Sequence, residues 1–305
     1  MPNSHSKPAM PLLCIDIGGT DIKHGLVDAE GHVLQPDLMP TNAPAGGEAM
    51  FARLAALALG YQGRVSGIAV STFGSIEPAT GRVTALADAV PGYAGMALGE
   101  RLAAQTGLPV TVENDVNCVA LAEQWQGAAR DVDHFIALTI GTGIGGAVVI
   151  NRALYRGFRY AAGEWGYMQI DGQVWEDVAS TRGLVARVAA QTAHGVLDGR
   201  RIFALADEGD VPVQSAVAAW MRLLATGIAN LIFALNPERV VIGGGVAGRG
   251  EAFLQPLQAA VRAQLHPDIR DEAQLVLAAA GNHAGLIGAA YNWHTRYGRP
   301  GPQVA

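Results

Sequence analysis

A carboxylate followed by a glycine turn is the first arrangement in this sequence that could do chemistry. Asp16 ends an apolar run, and Gly18, Gly19, Thr20 and Lys23 follow it closely. Glycines lack side chains, so backbone N–H groups there can approach an anion. The pattern predicts a Mg–phosphate site in which Asp16 holds Mg²⁺ through water, Thr20 donates its hydroxyl to a phosphate oxygen and Lys23 adds charge. A tight hairpin in which Asp16 accepts local N–H groups is the open alternative.

A second glycine turn repeats this arrangement without the carboxylate. The apolar run Phe135–Ile140 leads into Gly141, Thr142 and Gly143, and another apolar run, Ala147–Ile150, follows. Because that second run is strand-like, the turn is not a dinucleotide-binding fingerprint. We expect it to wrap phosphate groups, with a plain turn as the alternative. Its recurrence indicates a duplicated domain, with the two glycine turns facing each other across a cleft.

Asn114 and Asp115 lie between a short apolar run, Val110–Val112, and a helical segment, Asn117–Gln126. In isolation, an Asp at such a position is by default a helix N-cap. The alternative is that Asp115 accepts the proton of an attacking hydroxyl while Asn114 orients a sugar. Phosphoryl transfer needs that combination of a positioned nucleophile and a base.

Two further candidate residues, Glu164 and Glu176, lie in the aromatic-rich stretch GEWGYMQIDGQVWED. Glu164 and Glu176 could each accept hydrogen bonds from two neighbouring sugar hydroxyls. Trp165, Tyr167 and Trp175 could supply apolar faces for a sugar ring, although aromatic residues at this density more often pack in a core. The stretch therefore predicts a sugar-binding segment, with packing as the alternative role of its rings.

A third glycine turn, made of Gly243, Gly244 and Gly245, follows the apolar run Arg239–Ile242. The sequence predicts a strand before this turn and a helix after it. Such a turn either admits a nucleotide close to the backbone or is simply a close turn.

The order of apolar runs and turns predicts an α/β protein with two domains. We expect a smaller N-terminal domain over residues 1–118, joined by the C-terminal helix at about 284–305, and a larger domain over 119–283. The predicted strands are Leu12–Ile17, Ile22–Val27, Val65–Ser71, Val110–Val112, Phe135–Ile140, Ala147–Ile150 and Arg239–Ile242. The predicted helices are Met50–Leu59, Asn117–Gln126, a series from Ser180 to Ala234 broken near Gly195 and Gly209, and Ala284–Tyr291, with a loop at Gly74–Gly81.

Composition argues against several other classes of protein. The 305 residues carry a formal net charge of −6 without a dense run of Lys or Arg, which disfavours a nucleic-acid partner. The opening MPNSHSKPAM lacks the apolar stretch of a secretory signal, and the most apolar helix, Leu223–Leu235, falls short of a membrane span. Cys14 and Cys118 lie in apolar segments and are predicted to be buried thiols, so we expect a cytoplasmic protein.

Six segments taken together resemble the ROK family of bacterial sugar kinases. They are DIGGTDIKHGLVD from Asp16, ENDVNCVALAE from Glu113, LTIGTGIGG from Leu138, GEWGYM from Gly163, WEDVAS from Trp175 and NPERVVIGGGVA from Asn236. They occur in family order over nearly the whole chain. The resemblance implies the two-domain, actin-like (ribonuclease H-like) ATPase fold with a duplicated α/β core and an inter-domain cleft for ATP. It also implies Mg²⁺ as a cofactor, and homodimers are common in the family.

The family pattern implies a role for each candidate residue at a matching position. Asp115 would be the catalytic base, with Asn114, Glu164 and Glu176 as sugar ligands. Asp16, Thr20 and Thr142 would contact phosphate or Mg²⁺. Gly244 and its neighbours would contact the adenosine, and Gly74 would contact the sugar. The Gly74 match is weaker, because STFGSIEP departs from the family's PGxVD segment.

The segment around Tyr167 departs from most of the family. Most members have ExGH followed by a cysteine-rich loop that binds structural zinc, whereas here Tyr167 replaces the histidine and DGQVW replaces the cysteines. Without these ligands no zinc site is expected. The sequence resembles a zinc-free branch that includes β-glucoside kinases acting on cellobiose-type disaccharides. Tyr167 is a substrate-binding candidate because the replaced histidine contacts the anomeric end of the sugar.

The resemblance implies phosphorylation of a sugar by ATP at the C6 hydroxyl. The expected acceptors are a β-glucoside, glucose or an N-acyl hexosamine (N-acetylmannosamine or N-acetylglucosamine), in that order, with fructose as a further alternative. Two other classes are a transcription regulator, which carries a helix-turn-helix module ahead of the same domain, and a non-catalytic sugar sensor. The eleven residues before Leu12 are too few for that module, and Asp115 favours an enzyme.

Overall fold

The computed structural model describes residues 10–272 and 274–298, which form two compact units. The first unit contains the described residues up to Arg130, the short segment Phe158–Tyr160 and the residues from Ala279 onward. The second contains Asp131–Gly157 and Ala161–Ala278. The predicted absence of a secretory signal concerns mainly residues 1–9, and the last part of the C-terminal segment predicted at about 284–305 falls on residues 299–305; both lie outside the described residues.

The described elements alternate between strands and helices along the chain. The strands are β1 (Leu12–Ile17), β2 (Asp21–Val27), β3 (Val33–Pro40), β4 (Gly67–Thr72), β5 (Ser75–Glu77), β6 (Arg82–Ala85), β7 (Val110–Asn114), β8 (Phe135–Ile140), β9 (Ile144–Ile150), β10 (Ala153–Leu154), β11 (Gln169–Ile170), β12 (Gln173–Val174), β13 (Arg239–Gly243) and β14 (Gln274–Leu277). The α-helices are α1 (Gly46–Leu59), α2 (Leu98–Thr106), α3 (Asp115–Trp125), α4 (Trp175–Ala179), α5 (Thr181–Gln191), α6 (Gly199–Asp207), α7 (Val211–Leu235), α8 (Glu251–Arg262) and α9 (Ala284–Tyr297). Short 3₁₀ turns cover Ala43–Ala45, Trp165–Tyr167, Gly245–Arg249 and Gly281–His283.

Each unit is built on a five-stranded sheet, and the two sheets have the same topology. The first has the order β3-β2-β1-β4-β7 and the second β10-β9-β8-β13-β14. In both, three consecutive strands pair antiparallel, and two further strands then add parallel to the first of them. The α/β core is therefore duplicated, as the recurring strand–glycine turn–strand pattern predicted.

Strand β1 separates two layers of the first unit, because its side chains alternate between the faces of the sheet. Leu13, Ile15 and Ile17 pack with helices α1 and α2 in one apolar cluster. Leu12 and Cys14 pack with α3 and α9 in another. Asp16 has the same parity as Leu12 and Cys14, so its carboxylate lies on the α3–α9 side. Both cysteines are buried free thiols, as predicted.

The second unit has its core between its sheet and the helical series. Strand β8 contributes Ile136, Leu138 and Ile140, and α7 contributes Trp220 and Leu224. The helix predicted at Leu223–Leu235 extends over Val211–Leu235, so the expectation that it falls short of a membrane span was wrong: α7 is long and apolar enough to cross one by length and composition. Half of its most apolar window is nevertheless buried. It is a core helix of this unit, as predicted.

Most of the predicted elements are confirmed. The predicted strands correspond to β1, β2, β4, β7, β8, β9 and β13, and the predicted helices to α1, α3 and α9. The helical series is also confirmed, since α5, α6 and α7 are separated near Gly195 and Gly209. After the third glycine turn, a 3₁₀ turn at Gly245–Arg249 precedes the predicted helix, α8.

Three local predictions were wrong or incomplete. Strand β9 begins at Ile144, before the predicted Ala147, because the glycines there pair with β8. The predicted loop Gly74–Gly81 contains strand β5, which pairs with β6. Strand β3 was missed because its side chains are mostly exposed and it contains Pro36, so it carries no apolar alternation.

The predicted domain boundary at Cys118 falls inside helix α3. That helix packs against α9 through the buried residues Cys118, Ala122, Leu286 and Ile287. The first compact unit accordingly extends to Arg130.

Candidate active site

The predicted site residues divide between the two units. Those around Asp16, Gly74 and Asp115 belong to the first unit, and those of the second and third glycine turns, with Glu164, Tyr167 and Glu176, belong to the second.

Asp16 lies near the end of β1 with its carboxylate held by neighbouring elements. Ser71 Oγ, at the equivalent position of β4, donates a hydrogen bond to Asp16 Oδ1 at 2.6 Å. Lys23 is the β2 partner of Asp16 in the antiparallel ladder, and its Nζ donates to the carbonyl of Asn282 at 3.1 Å. Burial raises the pKa of Asp16, and the Ser71 hydrogen bond and the charge of Lys23 oppose that shift. This half-buried carboxylate offers the hard oxygen ligands that Mg²⁺ prefers.

The turn after Asp16 is anchored from outside the hairpin. Gly18 N donates to Asp21 O at 3.0 Å, which closes the turn. Thr41 donates from its hydroxyl to Gly18 O at 2.6 Å and from its backbone N to Thr20 O at 2.8 Å. Gly19 and Thr20 are exposed, and no atom lies within 4 Å of where a Gly19 β-carbon would stand. These hydrogen bonds hold the turn from both sides, and its exposed part is open to an anion, as the Mg–phosphate interpretation requires.

Asn114, rather than Asp115, is the N-cap of helix α3. Its side-chain oxygen accepts hydrogen bonds from Val116 N at 2.9 Å and from Asn117 N at 3.0 Å. The default interpretation of Asp115 as the N-cap is therefore wrong. Asp115 is the first residue of the helix, and its Oδ1 accepts from Val116 N at 2.9 Å. Since its neighbour does the capping, the Asp115 carboxylate keeps further acceptor capacity.

The electrostatic surroundings of Asp115 fit a general base. Burial raises its pKa to about 6, the charge of Asp16 adds to the rise, and hydrogen bonds from Val116 and Asn114 oppose it. A carboxylate with a pKa near the working pH is a better proton acceptor than an ordinary one. Tyr93 lies close enough for the Asp115 charge to reinforce the rise that burial causes in the pKa of the tyrosine.

Gly74 lies beside Asn114, as expected if both serve one binding site. Asn114 Nδ2 donates to the Gly74 carbonyl at 3.1 Å. Gly74 has φ +96°, and a β-carbon there would stand 2.9 Å from Ala85 O, so only glycine fits this position. The two residues thereby join the β4–β5 loop to the start of α3.

In the second unit, Glu176 packs against the second glycine turn. Glu176 Oε2 accepts from Ile144 N at 3.3 Å, and a β-carbon at Gly143 would stand 2.6 Å from the same oxygen. Thr181 N donates to Gly141 O at 2.8 Å, which ties the turn to the start of α5. Thr142 is exposed at the tip of the turn. The glycine turn that is predicted to bind phosphate and the Glu176 carboxylate that is predicted to bind sugar are thus neighbours.

The other Glu176 oxygen is directed to an arginine that sequence reasoning missed. Arg182 Nη2 lies 3.5 Å from Glu176 Oε1 and 2.8 Å from Asp177 Oδ1. The guanidinium is more than half exposed, so both ion pairs are weak. No regular helical spacing signals this arginine, because it lies five and six residues after the two carboxylates and on the next helix, α5.

Glu164 and Tyr167 lie on one short turn next to these residues. Glu164 precedes the 3₁₀ turn Trp165–Tyr167, and Gly163, at φ +98°, packs its Cα against the carbonyl of Gly146 in β9. A β-carbon at Gly166 would stand 2.9 Å from Glu176 Oε2. The chain therefore brings Glu164, Tyr167 and Glu176 to one side of this unit.

The three aromatic residues of this stretch differ in their surroundings. Trp175 is fully buried and donates from Nε1 to Leu223 O at 3.0 Å, and Trp165 packs against the core cluster. For these two, the packing alternative is confirmed. Tyr167 is 57% exposed and is the most exposed ring of the three.

The third glycine turn is a close turn at its centre and open beside it. Gly244 has φ +86°, and a β-carbon there would stand 2.4 Å from Ile140 O at the end of β8. No atom lies within 4 Å of a β-carbon at Gly245. Gly243 ends β13 in parallel register with Thr139. The packing of Gly244 on β8 brings the second and third glycine turns to the same end of the sheet.

Ser71 and Gly285 were missed by the sequence analysis. Ser71 ends an apolar run just as Asp16 does, and that parallel was a usable signal. Gly285 lies in α9 directly against the Asp16 carboxylate. No local pattern distinguishes it from other helical glycines, because its role depends on a strand far away along the chain.

The duplicated sheets and their glycine turns define the class of protein: an actin-like ATPase fold. The model of the ROK family matches residues 12–296. The chain therefore belongs to the ROK family.

Relatives over the full length of the chain agree with this assignment. A β-glucoside kinase from Klebsiella pneumoniae is 37% identical over 301 residues, which cover 95% of this chain and 98% of that protein. A ROK family protein from Streptococcus pneumoniae TIGR4, solved with sucrose, has a TM-score of 0.83 and 32% identity, covering 94% and 99% of the two chains. A ROK family glucokinase from Streptomyces griseus, solved with glucose and AMPPNP, has a TM-score of 0.78 and 29% identity, covering 92% and 98%.

Proposed function

We propose that this ROK family sugar kinase uses ATP to phosphorylate the C6 hydroxyl of a β-glucoside of the cellobiose type. The sugar-kinase class follows from family membership and from relatives named β-glucoside kinase and glucokinase. The β-glucoside acceptor is supported by the Klebsiella pneumoniae relative and by Tyr167. This exposed ring lies on the same short turn as Glu164 and offers a face to a second sugar ring.

The proposed mechanism rests on the free acceptor capacity and the raised pKa of Asp115. Its neighbour Asn114 caps α3, and burial and Asp16 raise its pKa to about 6. In the proposed reaction the sugar hydroxyl oxygen attacks the γ-phosphorus of ATP, and the bond from that phosphorus to the leaving ADP oxygen breaks. Asp115 takes the proton of the attacking hydroxyl.

Asp16 and the three glycine turns are proposed to bind the nucleotide. Asp16 would hold Mg²⁺ through water, and Thr20 would donate its hydroxyl to a phosphate oxygen. The exposed Thr142 would do the same from the second turn, and Gly244 and its neighbours would flank the adenosine. Mg²⁺ supplies charge neutralisation at the phosphate oxygens when it is bound. Lys23, already bonded to the Asn282 carbonyl, adds positive charge next to Asp16.

The sugar is proposed to bind carboxylate and amide groups. Glu164 and Glu176 would accept hydrogen bonds from its hydroxyls, since ionised carboxylates only accept. The Asn114 side-chain oxygen is engaged in capping, so this residue would contact the sugar as a donor, together with the backbone at Gly74.

We also propose a cytoplasmic homodimer without nucleic-acid or membrane partners. The acidic net charge of −6 supports the absence of a nucleic-acid partner. Membership of a family in which homodimers are common supports the dimer.

An ADP-release assay with Mg-ATP tests the proposal across cellobiose, glucose, N-acetylglucosamine, N-acetylmannosamine, mannose and fructose. We expect the highest kcat/KM with cellobiose, and NMR of the product should locate the phosphate on C6. Asp115→Asn is the matched control and should bind the sugar while losing turnover by orders of magnitude. Higher kcat/KM with any other sugar would reject the β-glucoside assignment, and near-normal turnover of Asp115→Asn would reject the base.

A further inference from the structure

Helix α3 carries a second carboxylate, Glu123, which the mechanism above does not use. Glu123 is completely buried, with 0% of its surface exposed. A buried carboxylate is costly unless its charge is compensated, so its partners identify what it stabilises.

The partners of Glu123 are three backbone amides. Ala279 N donates to Oε1 at 2.9 Å and to Oε2 at 3.0 Å, and Ala280 N donates to Oε1 at 2.8 Å. Ala128 N donates to Oε2 at 2.7 Å. Within the described part of the chain no arginine, lysine or histidine pairs with this carboxylate. Its charge is therefore stabilised by N–H groups alone, and such charge-assisted bonds are short and strong.

These bonds fasten together two segments that are distant in sequence. Ala128 follows the end of α3, and Ala279 and Ala280 immediately precede the 3₁₀ turn that leads into α9. Gly127 is part of the same arrangement, because a β-carbon there would stand 2.1 Å from Glu123 Oε2. Glu123 therefore fixes where α9 begins relative to α3.

The start of α9 in turn bears on both proposed catalytic carboxylates. Gly285 packs against the carboxylate of Asp16, and Gly288 packs against the carbonyl of Cys118 in α3. Asp115 is the first residue of α3. The relative positions of Asp16 and Asp115 thus depend on the contact between α3 and α9 that Glu123 fastens.

We propose that Glu123 is a positioning residue for phosphoryl transfer, because its carboxylate locks α3 to the start of α9 and thereby fixes Asp115 relative to Asp16. This inference rests on the roles proposed above for those two carboxylates. Loss of the lock misplaces the base without removing any group that touches the sugar. Misalignment of a reacting group lowers turnover more than ground-state binding.

The test compares Glu123→Gln with Leu54→Ala, a core variant of α1 that lies in the other apolar cluster of this unit. Both variants are expected to lower the melting temperature, and kinetics are measured well below it. For Glu123→Gln we expect kcat to fall by about tenfold or more while the sugar KM changes by less than about twofold. Leu54→Ala should keep its kcat. Gly127→Ala keeps the Glu123 carboxylate but displaces it, and should show the same fall in kcat. If Glu123→Gln does not fold, Gly127→Ala is the variant that tests the proposal.

A second readout does not depend on catalysis. The buried thiol of Cys118 lies in the α3–α9 contact, so its labelling rate by a thiol reagent, localised by mass spectrometry, reports opening of that contact. We expect faster labelling in Glu123→Gln and Gly127→Ala than in Leu54→Ala. Unchanged kcat and unchanged labelling would overturn the proposal. Absence of turnover in the wild-type protein with every sugar would overturn the proposed function instead, and the labelling result would still decide whether Glu123 locks the two helices.

Discussion

Gly285 and Asp16 are in direct contact although they lie at opposite ends of the sequence. A β-carbon at Gly285 would stand 2.4 Å from Asp16 Cγ, 2.5 Å from Oδ1 and 2.6 Å from Oδ2. No real β-carbon lies so close to another side chain, so the last helix reaches the proposed Mg²⁺ ligand only because this residue is glycine.

Gly285→Ala is therefore expected to displace the Asp16 carboxylate. In a helix, alanine is more favourable than glycine by about 1 kcal/mol. A fall in the free energy of unfolding of Gly285→Ala would therefore come from the clash between the new β-carbon and the Asp16 carboxylate. We expect kcat with Mg-ATP to fall by roughly tenfold or more, since the proposed metal ligand is moved. Steady-state kinetics at several Mg²⁺ concentrations measure this, with Thr295→Ala on the same helix as the control. An unchanged kcat in Gly285→Ala would show that Asp16 need not hold its observed position.

The acid limb of the pH–rate profile should report Asp115. A base must be deprotonated, and burial and Asp16 raise the pKa of Asp115 to about 6. As pH falls through about 6, kcat/KM should begin to fall by about tenfold per pH unit. An acid limb that starts only near the ordinary pKa of an aspartate, about 4, would contradict the perturbed base.

The same raised pKa predicts that the base destabilises the fold when it is ionised. The pKa rises from the ordinary 3.8 to about 6, so the folded protein holds this proton more tightly than the unfolded chain. The ionised form therefore costs stability, and the cost grows as pH rises from about 4 to about 6 and is complete above it. Asp115→Asn removes this cost and should raise the free energy of unfolding at pH 8 by about 1–3 kcal/mol. Denaturant unfolding at pH 8 and pH 4 checks this, because the gain should disappear at the lower pH.

The sequence predicted the parts of this structure that depend on local pattern. Strands β1 and β8 were predictable because each is a short apolar run that stops at a glycine turn. The weak pattern of β3 gave no such signal, because an exposed edge strand needs no apolar alternation. Strands β10, β11 and β12 could not be foreseen because they have only two residues each, too few for an alternating pattern.

The candidate site was predictable where residue type alone carries the chemistry. Asp16 and Asp115 were found as carboxylates at the ends of strands, and the structure adds that Asn114 does the capping. The contacts of Glu123 and Gly285 were not predictable, because they depend on α9 packing against elements far away in sequence. Local spacing contains no information on which distant backbone meets a side chain.

Glu176 should matter more for sugar binding than its neighbour Asp177. Both carboxylates contact Arg182, but only Glu176 also accepts from Ile144 N beside the glycine turn. Glu176→Gln keeps the shape and removes the charge, and charged acceptors make the stronger hydrogen bonds to hydroxyls. We expect the sugar KM to rise by about tenfold or more in Glu176→Gln and by less than about twofold in Asp177→Asn. Equal effects in the two variants would indicate that the carboxylates act only by holding Arg182.

Tyr167 should decide whether the enzyme distinguishes a disaccharide from glucose. Its ring is 57% exposed on the turn that follows Glu164, whereas Trp165 and Trp175 pack in the core. Stacking of a second sugar ring on this face would stabilise cellobiose but not glucose, because aromatic contacts contribute about 1 kcal/mol beyond the area they bury. Tyr167→Ala is therefore expected to raise the cellobiose KM by about five- to tenfold and to leave the glucose KM within about twofold.

The matched control is Tyr155→Ala, which removes a similarly exposed ring from the same unit. Isothermal titration of both variants with cellobiose and with glucose separates binding from turnover. A parallel loss for the two sugars in Tyr167→Ala would place the ring against the glucose unit itself. An equal loss in both variants would mean that Tyr167 does not select the acceptor, and the preference for β-glucosides would then have to come from Glu164 and Glu176.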